Sequence, residues 1–229
     1  MAGQSLARRA RLHAALGDET RLRIADDLRS SDRSPKELAD RLGVRSNLLA
    51  HHLDVLEEAG AIDRLDSAGD ARRRYVRLTI AAARVLGTPK SANRPEAIFL
   101  CTRNSTRSQL ASALWEARTG APARSAGTDP AESINPGALA AARRAGVSLD
   151  GAVPARLGRI PRGVQVITVC DLVHEELEPR PDWWHWSVPS PSPAGRAAAF
   201  DAVVDELNER MSRLGFPPIQ ITERKETSR

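Results

Sequence analysis

The sequence predicts two modules in one chain of 229 residues. The first is mostly α-helical and closes with a β-hairpin; the second is an α/β module with a mostly parallel sheet. Three observations predict this. Two short capped helices meet across a glycine turn and are followed by two extended runs. A polar stretch rich in Gly and Pro, Gly87 to Pro95 (GTPKSANRP), interrupts the pattern. After it, strand-like and helix-like segments alternate. The boundaries follow: 1–88 for the first module, 89–95 for a linker, 96–216 for the second module, and 217–229 for a frayed tail.

From about residue 5 to 30, Leu12, Leu16, Leu22, Ile24, Ala25 and Leu28 give two short helices, punctuated by Gly17 and Asp18. Ser34-Pro35-Lys36-Glu37 combines an N-cap, a first-turn proline and a Glu three residues after the cap, so a helix starts there and stops at Gly43. Ser46 is expected to cap the next helix, whose Leu49, Leu53, Leu56 and Ala59 form one stripe before Gly60. Ala61–Leu65 and Arg73–Leu78 read as a hairpin around the turn Asp66 to Asp70, and Thr79–Leu86 as a helix. In the second module, strands are expected at 97–100, 123–126 and 164–169, and helices at 108–118, 136–145 and 194–214.

The formal net charge is +5. Residues 1–90 hold 17 Lys+Arg against 13 Asp+Glu, so the excess sits in the first module, most densely at Arg72, Arg73 and Arg74. Arginine forks suit phosphate, which points to nucleic acid. No run approaches the roughly 18 apolar residues of a membrane span, and the N-terminus lacks a signal-peptide core, so a cytoplasmic protein is expected. The two cysteines, 69 positions apart, form neither a disulfide framework nor a zinc set; no metal and no cofactor are expected.

The ordered strings GDETRLRIADDL, SPKELADRLGVRSNLLAHHLDVLEEAGAI and RRRYVRLT resemble the ArsR-type winged helix-turn-helix repressors over residues 7 to about 86. The resemblance implies a homodimer on double-stranded operator DNA, with the helix from Ser46 to Glu58 in the major groove and the hairpin as a wing. Arg45, Ser46, Asn47 and Ala50 then face base edges or phosphates, His51 follows one turn on, and Arg72, Arg73 and Arg74 contact phosphates. Metal-sensing members carry cysteines in the first helix of the motif. SPKELADRL has none, so a sensor is expected elsewhere in the chain.

Residues 97–108 read AIFLCTRNSTRS: an apolar strand, Cys101, a polar loop, Arg107 and a helix start. A loop between strand end and helix start turns backbone N–H groups inward, and the helix dipole favours an oxyanion there. Cys101, Thr102, Arg103, Asn104, Ser105, Thr106, Arg107 and Ser108 are the candidate cradle. Arg107 clamps the anion, Asn104 props the loop, and Cys101 is the nucleophile if the site is active.

This loop resembles that of the low-molecular-weight protein tyrosine phosphatases and the arsenate reductases of the same fold. The resemblance continues through SAGTDPAESINPGALAAARRAGVSLDG (125–151), VQVITVCD (164–171) and HWSVPSPSPAGRAAAFDAVVDELNERM (185–211). Family enzymes carry an Asp-Pro before the final helix, whose Asp protonates the leaving group. Here Ser187-Val188-Pro189-Ser190-Pro191 holds no carboxylate, and Ser190 stands in its place. A general acid contributes roughly 10²- to 10⁴-fold, so efficient hydrolysis is not expected; Asp171 and Asp182 are candidate substitutes, though nothing in their spacing compels that role. Thiol-relay reductases need further cysteines, and only Cys170 is available, either as a redox partner of Cys101 or as an inert buried thiol. Trp183, Trp184 and Trp186 form either a lid over the ligand, with Trp186 the candidate contact, or plain loop packing. The expected function is a transcriptional regulator sensing an oxyanion or phosphorylated small molecule. The alternatives are an active phosphatase or arsenate reductase fused to its repressor, and a cysteine redox switch.

Overall fold

The structure, a computed structural model, describes residues 2–87, 96–177, 179–191 and 196–219, with side chains from residue 6 onward. The expected linker, 89–95, lies outside the described residues.

Helices α1 (Ala2–Leu16) and α2 (Glu19–Asp27) are separated by Gly17 and by Asp18, whose carboxylate caps α2 at Arg21 N (2.9 Å). Helix α3 (Pro35–Leu42) opens with the predicted capping box between Ser34 and Glu37. Gly43, at φ +65°, ends it in the left-handed conformation. Helix α4 (Ser46–Glu58) corrects one expectation: Arg45 occupies the N-cap, Ser46 is the first helical residue, and no side chain caps the end. Strands β1 (Ile62–Asp66) and β2 (Arg74–Leu78) pair antiparallel, so the wing tip runs from 67 to 73. Helix α5 (Ile80–Leu86), capped by Thr79, completes the module. Leu12, Ile24, Leu38, Leu49, Leu53, Leu56, Val76 and Leu78 form its core.

The second module begins with β3 (Ala97–Cys101), α6 (Arg107–Thr119), β4 (Ala123–Gly127) and α7 (Pro136–Arg144). It continues with β5 (Gln165–Thr168), α8 (Asp171–Glu176), β6 (Trp184–His185) and α9 (Ala197–Arg213). All strand pairs are parallel in the order β4-β3-β5-β6. β3 is buried at every residue, as a central parallel strand must be. Phe99, Leu110, Leu114, Trp115, Ile167, Leu207 and Met211 pack its core. α8 and β6 were not predicted: six and two residues carry too little periodicity to read. The frayed tail is corrected at its start, since Pro217 O accepts a 2.8 Å bond from Arg118 Nε and Ile219 packs on the core.

Candidate anion site, interdomain seam and DNA-binding face

β3 delivers Cys101 to the carboxyl edge of the sheet, and α6 starts six residues later with Arg107. The intervening carbonyls are all taken from outside the loop. Thr102 O accepts from Asp129 N (3.0 Å), Arg103 O from Ala131 N (2.9 Å) and Ser105 O from Asn135 N (2.9 Å). Asn104 O accepts from Gln109 Nε2 (3.2 Å). With these acceptors turned outward, Asn104 N donates to Cys101 Sγ on the inner side (3.2 Å).

Asn104 is the prop that the sequence suggested. It is fully buried and, at φ +46°, is the only non-glycine residue with positive φ among those described. Its side chain supports that geometry by donating to Ser108 Oγ (2.8 Å) and accepting from Ala155 N (2.8 Å) and Gln109 Nε2 (3.1 Å). Ser108 Oγ in turn lies 3.0 Å from Cys101 Sγ. Gly127 at the end of β4 is required by close approach, because a Cβ there would overlap Thr102 O. Thr106 is buried, Thr102 and Ser105 are partly exposed, and Arg103 is exposed and paired with Asp129. Both cysteines are free and buried; Cys170 Sγ lies 3.5 Å from Thr102 Oγ1.

Arg107, the expected clamp, donates to Val188 O (3.0 Å). Trp186 does not overhang this loop. It is 1% exposed, packed on Phe99 and Trp115, and its indole N–H donates to Ser30 O (2.9 Å) in the first module. An aromatic next to a polar loop reads equally as lid or core from sequence, and here the core supplied its neighbours.

The segment around Trp186 is a seam between the modules. Asp32, fully buried, pairs with Arg210 of α9 and accepts from Ser187 N (2.8 Å). Asp32 N donates to His185 O (2.7 Å), and His185 N to Ser31 Oγ (2.8 Å). Arg33 Nη1 reaches Trp183 O (3.2 Å) and Arg41 Nη1 reaches Pro181 O (2.8 Å). Asp171 at the start of α8 accepts at Oδ2 from wing-tip Ala68 N (2.8 Å) and Ser187 Oγ (3.1 Å). Its Oδ1 lies 3.1 Å from His185 Nε2, close but poorly aligned. Burial alone would raise the Asp171 pKa, but His185, the Ala68 amide and Ser187 hold it below the ordinary carboxylate range. That engagement corrects the idea of Asp171 as a substitute general acid. Asp182 lies exposed before β6.

Thr168 Oγ1 sits 2.9 Å from both His174 Nδ1 and His185 Nδ1, and the two rings stack at 4.0 Å. His174 Nε2 faces Glu37 Oε1 at 3.3 Å. Burial pushes His174 below its ordinary pKa. Burial would raise Glu37, yet bonds from His174 and Ser34 lower it to about 2. Sequence reasoning missed Asp32, Glu37, Asp171 and Arg210 as seam residues. The only local signal was Glu37's place in the capping box.

On the opposite edge of α4, Arg45, Ser46, Asn47, Ala50 and His51 are exposed, while His52 is buried beside Asp18. A groove of about 400 Å³ brings Ser46 and Ala50 together with Arg74 and with Lys36, which the sequence reading did not single out. Arg72 and Arg73 are exposed near the wing tip and pair with Asp70. Among the described residues no cluster of His, Cys, Asp and Glu is suited to a metal ion, and no helix is long and apolar enough to cross a membrane.

A helix-turn-helix module followed by a parallel α/β module with a Cys-x5-Arg loop at a strand end defines a DNA-binding domain joined to a phosphatase-type domain. The chain belongs to the low molecular weight phosphotyrosine protein phosphatase family, which matches residues 96–226. A helix-turn-helix domain family matches residues 16–64. No curated protein matches the chain. Among solved structures, a YwlE mutant from Bacillus subtilis is 23% identical, covering 52% of this chain and 95% of its own, with a TM-score of 0.46. The thioredoxin-dependent arsenate reductase of Corynebacterium glutamicum is 23% identical over 59% of this chain and 74% of its own, with a TM-score of 0.43. An ArsR-like transcriptional regulator from Rhodococcus sp. RHA1 is 32% identical over 35% of this chain and 74% of its own, with a TM-score of 0.33.

Proposed function

We propose that the chain is a dimeric, DNA-binding transcriptional regulator whose phosphatase-family module senses an oxyanion or a phosphorylated small molecule. One observation carries the reading. Arg107, the cation of the anion cradle, is bonded to Val188 O, and the neighbouring Ser187 is bonded through N to Asp32 of the DNA-binding module. An anion that draws the guanidinium away from Val188 acts on the residue that ties the two modules together. Cys101 to Ser108 hold the anion. Arg45, Ser46, Asn47, Ala50, His51, Arg72, Arg73 and Arg74 contact DNA, and recognition helices of a dimer would meet half-sites about 34 Å apart.

The segment 187–191 offers no carboxylate to protonate a leaving group, which favours sensing over turnover. The intact Cys101–Ser108 contact supports a second reading, an active phosphatase or arsenate reductase joined to its repressor. Duplex binding with and without inorganic phosphate or arsenate, in the parent and in Arg107→Ala, tests the first. The sensor requires an anion effect in the parent, its loss in the variant, and equal affinity of both without anion. Cys101-dependent turnover of p-nitrophenyl phosphate or arsenate, absent in Cys101→Ser, would establish the second.

A further inference from the structure

A wing reaches DNA by offering backbone amides and hydroxyls to phosphate oxygens, contacts that position a protein without reading sequence. In this chain two neutral donors of the tip are already engaged, while Arg72 and Arg73 stay exposed beside them. Ala68 N donates to Asp171 Oδ2 (2.8 Å) and Ser67 Oγ to Glu175 Oε1 (2.7 Å); the same Glu175 oxygen is steadied by the hydroxyl of Tyr75, buried within β2 (3.1 Å). Both carboxylates belong to α8, one at its first residue and the other a turn later. Gly69 presses against the same helix: a Cβ there would overlap Glu175 Oε2 and sit 3.3 Å from Leu172 N. Its backbone is not left-handed, so closeness to α8 sets what fits there: a side chain must push the Glu175 carboxylate aside and crowd the Leu172 amide.

We propose that α8 is an internal mimic of a DNA backbone segment, whose two carboxylates hold the wing tip where two phosphates would, so that duplex DNA and α8 compete for it. The match is chemical: anionic oxygens in both cases, and the same neutral donors of the tip. The inference rests on the regulator reading and gives it a direction. Ser187 shares Asp171 with Ala68, and Arg107 holds the neighbouring carbonyl. An anion that withdraws Arg107 loosens this shared carboxylate, frees the tip and strengthens DNA binding.

The test uses the full chain and a short duplex of mixed sequence, since backbone contacts need no operator. Gly69→Leu displaces the tip without a change of charge. Glu175→Gln weakens its acceptor, and Glu176→Gln is the charge-matched control, because Glu176 faces Thr128 (3.1 Å) instead of the wing. Gly69→Leu and Glu175→Gln are expected to bind the duplex about tenfold tighter than the parent and Glu176→Gln, the size of one charge-assisted bond released. The Ala68 amide, protected from hydrogen exchange in the parent, is expected to exchange faster in both. Equal or weaker duplex binding with Ala68 freed overturns the proposal. So does an Ala68 amide unprotected in the parent, or still protected in both variants. Inorganic phosphate separates the two readings: tighter binding by the variants with no phosphate effect on the parent leaves the capture standing and refutes anion sensing.

Discussion

Replacing Asp32 by Ala tests whether the modules are held by their buried charges. The carboxylate is fully buried and has two partners across the seam, the Arg210 guanidinium and the Ser187 amide. Its removal leaves Arg210, 3% exposed, with Glu206 as its remaining ion-pair partner (2.7 Å), and Ser187 N–H without an acceptor. Breaking a buried pair costs about 3–5 kcal/mol, and a stranded amide about 1–3 kcal/mol. Glu206 keeps part of the charge compensated, and an opened seam rehydrates both groups, so the lower end applies: about 3–4 kcal/mol, charged to docking and not to either core. That is roughly 10²- to 10³-fold in the docking equilibrium. Hydrogen exchange reads it residue by residue. His185 and Ser187 amides, which donate to Ser31 and Asp32, should exchange faster by that factor. Leu56 and Ile167 amides, each inside one core, should change by less than about tenfold. Unchanged protection at His185 and Ser187 would refute the assignment of docking energy to Asp32. A uniform loss across both cores would show instead that the modules do not fold as separable units.

Acidification should open the same seam. Burial depresses the His174 pKa, so the folded chain favours its neutral form; that contribution is present above about pH 6.5 and is lost as pH falls below it. Glu37, held at about 2, adds stability that is complete above its ordinary value and lost as pH falls from there toward 2. Both signs agree but the windows differ: protection of the His185 amide, corrected for intrinsic rates, should fall between pH 7.5 and 5 through His174 and again below 4.5 through Glu37, and a rise in either window would contradict the direction. At the anion loop, Gly127→Ala places a methyl against Thr102 O and 3.1 Å from Asn104 N. An overpacked site costs about 1–3 kcal/mol, so a lower melting temperature and weakened phosphate binding should appear together in one calorimetric series. A methyl tolerated with full phosphate affinity would show that the loop does not need this close approach.

What was legible in the sequence has local causes. The capping box at Ser34 and Glu37, the left-handed stop at Gly43 and the loop contacts of Cys101 with Asn104 and Ser108 each lie within a few residues of their partners, so spacing alone carries them. The seam is different. Asp32 meets Arg210 from the far end of the chain, Asp171 meets Ala68, and Glu37 meets His174, pairs with no shared periodicity and no motif. Each residue alone reads as a solvated charge, and only the docking of two independently legible modules buries it. α8 escaped notice for the same reason. Six residues with acids at both ends look like a polar loop until a wing tip supplies their hydrogen-bond donors. Trp186 shows the complementary failure: its aromatic character was evident, but the choice between ligand and core depended on Phe99, Trp115 and Ser30, from three other parts of the chain. The motifs identify the two modules. The link between them is written in buried polar pairs, and there a single unpaired partner costs more than a surface contact contributes. In this chain those pairs run through Ser187 and Asp171, which sequence motifs pass over and which join the wing tip and Asp32 to the segment that Arg107 holds.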